Sequence, residues 1–136
     1  MKFWKCSAGI FFVLLFFLTG CSVEKTDREK VRDLDFTIVE EDAIPEELRA
    51  LIEEKKPGAF KMTFDCEDDR YIIVGYGRQQ TGGYSISIEA LYLTSNAIYI
   101  NTSLIGPSKG ETVNEVESFP YIVIKMEYLD KNVVFQ

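Results

Sequence analysis

The sequence contains no histidine. That absence excludes Ser-His-Asp and Cys-His nucleophilic catalysis, histidine-ligated zinc and imidazole pH switching. Basic residues are in deficit, with 15 Lys and Arg against 22 Asp and Glu, a net charge of −7. Loss of Lys2 and Lys5 with an N-terminal leader takes that −7 to −9. Such a chain lacks the phosphate-neutralising patch that nucleic-acid binding needs. There are only three cysteines, and neither internal repeats nor low-complexity segments are present. What the chain does have is a globular composition, 46% apolar and 27% charged. That rules out a mostly disordered chain and a multi-span membrane protein. At 136 residues there is room for one domain.

The first 20 residues read as a removable address. Lys2 and Lys5 form a short basic region. Cys6 to Val23 carries no charge, and Ile10 to Leu18 is a dense apolar block. The uncharged run is also long enough to span a bilayer. Leu18-Thr19-Gly20-Cys21 resembles the bacterial lipobox. The resemblance implies cleavage after Gly20 and a diacylglyceryl group on Cys21, giving an exported protein lipid-anchored to the bacterial cell membrane. An uncleaved anchor or plain signal peptide is the alternative. Two or three acyl chains anchor stably where one does not. Residues 21–34 are rich in charge and poor in apolar side chains, which suits a solvated tether; a short helix is the other possibility. With Cys6 removed and Cys21 lipidated, Cys66 is left alone and cannot close an internal disulfide. It alternates in phase with Phe60, Met62 and Phe64, so it is expected as a buried structural thiol.

Residues 35–136 read as a single β-rich domain. Phe36 and Ile38 alternate in a first strand, Asp35 to Glu40. Pro45, Glu46 and Glu47 open a helix, Leu48, Leu51 and Ile52 line one face, and Pro57-Gly58 stops it. Phe60 to Cys66 alternates, and Glu67-Asp68-Asp69 turns. Tyr71-Ile72-Ile73-Val74 is apolar on both faces and belongs centrally. Tyr84, Ile86, Ile88 and Ala90 share a face, and the phase slips by one at Ala90-Leu91, where Leu91 and Leu93 become apolar, which signals a bulge. Ile98, Ile100, Thr102 and Leu104 form the next inward face. Ile122, Ile124, Met126 and Tyr128 follow a polar loop from Gly106 to Ser118, and Asp130-Lys131-Asn132 turns that strand into an antiparallel Val133-Val134-Phe135. The fold class expected is mainly β at the α+β margin. It is a small antiparallel β-sandwich, or partly open barrel, of six to seven strands with one amphipathic helix.

Few motifs carry chemistry. The acidic cluster Asp65 to Asp69 could attract calcium, but it lacks the alternating ligands and glycine of a calcium loop, and a solvated hairpin explains it. The other carboxylates lie on or beside the helix and read as an exposed face, although a catalytic pair is the enzyme alternative. Ser85, Ser87 and Ser103 fall on strands without a Ser-x-x-Lys spacing. Gly75 and Gly77 precede no helix, so a bulge or close backbone approach explains them better than a dinucleotide fingerprint. The sequon Asn101-Thr102-Ser103 sits mid-strand and reads as chance. No metal or cofactor is expected. The informative stretch is Gly77-Arg78-Gln79-Gln80-Thr81-Gly82-Gly83-Tyr84, a glycine-rich tip flanked by a guanidinium, two amides and an aromatic. Such a loop presents backbone and flat side chains to a partner, although a plain hairpin turn has the same composition.

Thr81-Gly82-Gly83-Tyr84 with Ile86 and Ile88, then Gly106-Pro107, then Ser118-Phe119-Pro120-Tyr121 leading an apolar strand that ends at Lys125, resembles the PrcB C-terminal domain family. The resemblance spans Tyr71 to Glu127. It implies an exported, often lipidated, non-catalytic partner of a protease complex. The contact residues expected are Arg78, Gln80, Thr81, Gly82, Gly83 and Tyr84, with Phe119, Pro120 and Tyr121 beside them. A weaker similarity is to the chagasin-type cysteine-protease inhibitors, which insert loops into a protease cleft. Gln79-Gln80 stands where that family has Asn-Pro, and Gly83 is inserted before Tyr84. A loop-inserting inhibitor is therefore the second reading. A small-molecule or envelope-polymer binder is the third, favoured by a deep cavity between helix and sheet.

Overall fold

The structure is a computed structural model that describes residues 29–136. The leader and Cys21 lie outside these residues. Eight strands form two four-stranded sheets. One sheet has the order β1-β5-β6-β8, with β1 Arg32–Asp33, β5 Ser85–Leu93, β6 Ala97–Ile105 and β8 Asn132–Phe135. The other has the order β2-β7-β4-β3, with β2 Thr37–Ile38, β7 Tyr121–Glu127, β4 Asp69–Tyr76 and β3 Ala59–Cys66. The described residues form a small β-sandwich with one α-helix, α1 Glu46–Lys55.

The second sheet is a middle layer, which explains its composition. Tyr71 and Ile73 of β4, Phe64 of β3 and Val123 of β7 pack under Leu48 and Ile52 of α1. The alternate residues, Ile72, Ile124 and Met126, pack against Leu91, Ile98 and Ile100 of the first sheet. A strand covered on both faces must be apolar at every position, and Tyr71-Ile72-Ile73-Val74 is. The helix is held by burial rather than propensity. Leu48 and Ile52 are fully buried, each contributing about 2 kcal/mol of transfer free energy. Glu46 and Glu47 sit in its first turn and Lys55 in its last, matching the dipole. Arg49 donates from Nη2 to the carbonyls of Glu41 and Ile44, both at 3.1 Å, tying the preceding 3-10 turn Glu41–Ala43 to the helix.

The expected phase slip is present. Ile88 faces Thr102 and Ala90 faces Asn101, so Glu89 is the extra residue of a bulge that returns Leu91 and Leu93 to the core. Gly75 lies opposite Phe60, and a Cβ there would fall 2.2 Å from the Phe60 ring. The Phe60 ring thus takes the space of a side chain at position 75, and the close backbone approach is at Gly77, where a Cβ would fall 2.9 Å from the Ala59 nitrogen.

Three expectations are corrected. The connection Tyr128 to Lys131 does not close an antiparallel hairpin; it carries the chain from one sheet to the other, where β8 runs parallel to β6. The folded body begins within the segment read as a tether. Arg32 and Asp33 pair with Leu93 and Tyr92, and Leu34 is buried in the inter-sheet core. Cys66, expected as a lone thiol, is half-buried against the helix-side core and disulfide-bonded. Cys6 and Cys21 lie outside the described residues.

Candidate functional site

The two loops singled out by composition meet at one end of the sandwich. Residues 77–84 link β4 to β5, and residues 106–120 link β6 to β7. Gln79 and Ser118 form an isolated antiparallel bridge, with N–H to carbonyl distances of 2.8 and 3.1 Å. The Gly82 N–H donates to the Asn114 carbonyl at 2.8 Å, and the Ser118 hydroxyl donates to the Thr81 carbonyl at 2.7 Å. Arg78 Nη1 reaches Glu117 Oε2 at 2.9 Å across the gap, with both side chains more than half exposed. Gly83 takes φ +90°, and a Cβ on it would sit 3.1 Å from Val113 Cγ1 and 3.3 Å from Pro107. Only glycine fits that positive φ at low cost. Tyr84 lies against Gly106, where a Cβ would come 3.1 Å from its ring. Below the loops, Tyr76 Oη and Thr102 Oγ1 share a hydrogen bond of 2.7 Å between the sheets.

The structure brings most of the expected residues together. Arg78, Gln80 and Gly83 are exposed, and Thr81, Gly82, Tyr84, Phe119 and Pro120 are half-buried around them. Tyr121 is different. It packs with the helix-side core, and its hydroxyl points to Glu41 Oε2 at 3.5 Å. Burial, then Glu41 and Glu53, hold its pKa above the ordinary phenol value, against a smaller opposing effect of Arg49. Sequence reasoning missed Val113, Asn114 and Glu117, which face the first loop, and the exposed Ile105 and Val116. The signal was two isolated valines in an otherwise polar loop.

Chemistry elsewhere is sparse. Asp65, from the acidic cluster, is committed to Arg70, whose Nε and Nη2 lie 2.8 and 3.5 Å from its two oxygens. Among the described residues no three His, Cys, Asp or Glu side chains are placed to hold a metal ion. A groove of about 290 Å³ opens beside Leu34, Phe36, Met126 and Leu129, rimmed by charges of both signs. It lies at the β1 and β2 edge, not between helix and sheet, where Leu48 and Ile52 pack on Phe64, Tyr71 and Ile73.

The fold and this end are those of a sandwich that presents two cross-bonded loops. Residues 70–127 match the model of the PrcB C-terminal family. The match runs from β4 through β7, so it encloses both loops and leaves α1 outside. No curated protein and no solved structure matches the chain.

Proposed function

We propose that this chain is a non-catalytic, exported and lipid-anchored subunit that binds a protein partner, a protease complex, through the loop end of its sandwich. The observation that supports it is that the matched segment 70–127 contains both loops and the strands that carry them. Their backbones are cross-bonded, so the surface is ordered before a partner arrives, which lowers the entropic cost of association. Exposed Arg78, Ile105 and Val116 lie on or beside these loops, side chains of the kinds interfaces bury.

The test is cross-linking of the tagged full-length protein in its native host, followed by mass spectrometry of co-purifying chains. A protease component enriched with the wild type and lost from a Gly83→Val, Tyr84→Ala variant supports the reading. Its retention by the variant removes the loop assignment, and its absence from the wild type removes the protease reading. The anchor is tested separately by the mass of the Cys21 peptide. A thioether lipid and a disulfide cannot share the Cys21 sulfur, so that mass decides which chemistry Cys21 carries.

A further inference from the structure

We infer that the partner adds an extended segment as a strand along Ser85–Ile88, the half of β5 that the described residues leave uncovered. This rests on the protein-binding reading and names how the binding is made. β1 accompanies β5 only at its far end, with Arg32 opposite Leu93 and Asp33 opposite Tyr92. The Leu34 N–H makes a last bond to the Leu91 carbonyl at 3.0 Å, and the chain then crosses to the other sheet. Among the described residues, Ser85 to Ile88 has backbone pairing from β6 alone. An edge strand presents a row of unpaired N–H and C=O groups to a further strand.

The inter-sheet space is also open along this side. Ile86 and Ile88 of β5 and Ile122 of β7 face it half-buried, and Ile38 of β2, 54% exposed, stands at its mouth. An added strand would set alternate apolar side chains into that opening while its backbone pairs with β5. The other free edges are blocked by their chemistry. β3 sets Lys61 toward the sandwich interior, its ammonium 5.9 Å from the Phe135 ring, and an inward charge on an edge strand discourages pairing. β8 is four residues long.

The occupant follows from charge. Glu40, beyond β2, is exposed at the rim of this opening, whereas Glu89 turns to the outer face, where it accepts the Ser103 hydroxyl at 2.7 Å. A partner segment of alternating apolar residues with a basic residue beside them complements the opening and Glu40. The chain's own Ser22–Arg28 does not. It carries four charges in seven residues and has Val23 as its only large apolar side chain.

The test is hydrogen exchange on the full-length protein, alone and in the complex recovered from its native host. Slowed exchange at Ser85–Glu89, together with about tenfold weaker binding by Ile38→Lys and unchanged binding by the β3 variant Thr63→Lys, supports strand addition. Ile38→Lys changes an exposed side chain and leaves the core intact. Slowed exchange confined to residues 78–84 and 106–120 overturns strand addition but leaves the loop reading standing. Ile38→Lys without effect also overturns it. Slowed exchange that appears in the protein alone and rises with its concentration assigns the edge to a second copy and overturns the heterologous partner. Failure to recover any complex ends both readings.

Discussion

The two ends of the sandwich are held by different chemistry. At the turn end, side chains grip backbone. Arg70 is 8% exposed, yet it is paired with Asp65, donates to the Lys131 carbonyl at 2.7 Å and lies 4.6 Å from the Tyr128 ring centroid. Lys131 Nζ donates in turn to the Ser95 carbonyl at 2.9 Å, and the buried Thr94 hydroxyl accepts the Ala97 N–H at 3.1 Å. One guanidinium thus fixes the β3–β4 hairpin against the crossing between sheets. At the loop end, three backbone-to-backbone bonds and the Ser118 hydroxyl tie the loops together, and the charged pair Arg78–Glu117 is exposed. A buried charge set in several hydrogen bonds serves the fold and is out of a partner's reach. An exposed pair over a pre-bonded loop contributes little to the fold and is free for recognition.

The sharpest way to break this contrast is Arg70→Ala. It strands the half-buried Asp65 and the Lys131 carbonyl, and should lower stability by about 3 kcal/mol, read as a lower urea midpoint. A loss under about 1 kcal/mol would make the turn end no stiffer than a surface. Gly83→Val comes next. Its positive φ and the contacts with Val113 and Pro107 set a cost of about 2 kcal/mol, read by thermal unfolding. Loss of partner capture at a temperature where the variant is folded would show that the loop's shape, not its stability, does the binding. Tyr76→Phe removes the one hydroxyl bridge joining the sheets near the loops and should cost about 1 kcal/mol. If it also loosens exchange in residues 77–84, the loop end depends on the sheets below it.

Legibility in the sequence followed the same division. Alternation in β3, the unbroken apolar run of β4, the phase slip within β5 and the Pro45-to-Gly58 frame of the helix were readable because each is a local consequence of which face is buried. β8 was misread because pairing direction depends on which sheet the chain crosses to, and nothing local records that. Arg32–Leu34 was misread because two paired residues cannot outweigh a charged neighbourhood. Tyr121 looked like a loop aromatic by its Phe119-Pro120 context, but β7 begins at it, and strand alternation sends it toward Glu41 and the helix. The loops were found by glycine, proline and amide content. Their bonding to each other joins residues about 40 apart in sequence, which composition does not report.

The smallest expected effect is the most informative about recognition. Arg78 and Glu117 form an ion pair in water, with 63% and 51% of their side chains exposed, so Arg78→Ala should change stability by less than about 0.5 kcal/mol. Partner capture should fall nonetheless, because a guanidinium at an interface makes planar, directional bonds that a methyl group cannot replace. The exchange variant Arg78→Glu, Glu117→Arg separates the two roles. It restores an ion pair between the loops while moving the guanidinium to the second one. If capture returns with the exchange, Arg78 acts only by tying the loops together. If capture stays lost while the melting curve matches the wild type, the partner reads the guanidinium where Arg78 places it, and the loop end is a recognition surface whose contribution to the fold is close to nil.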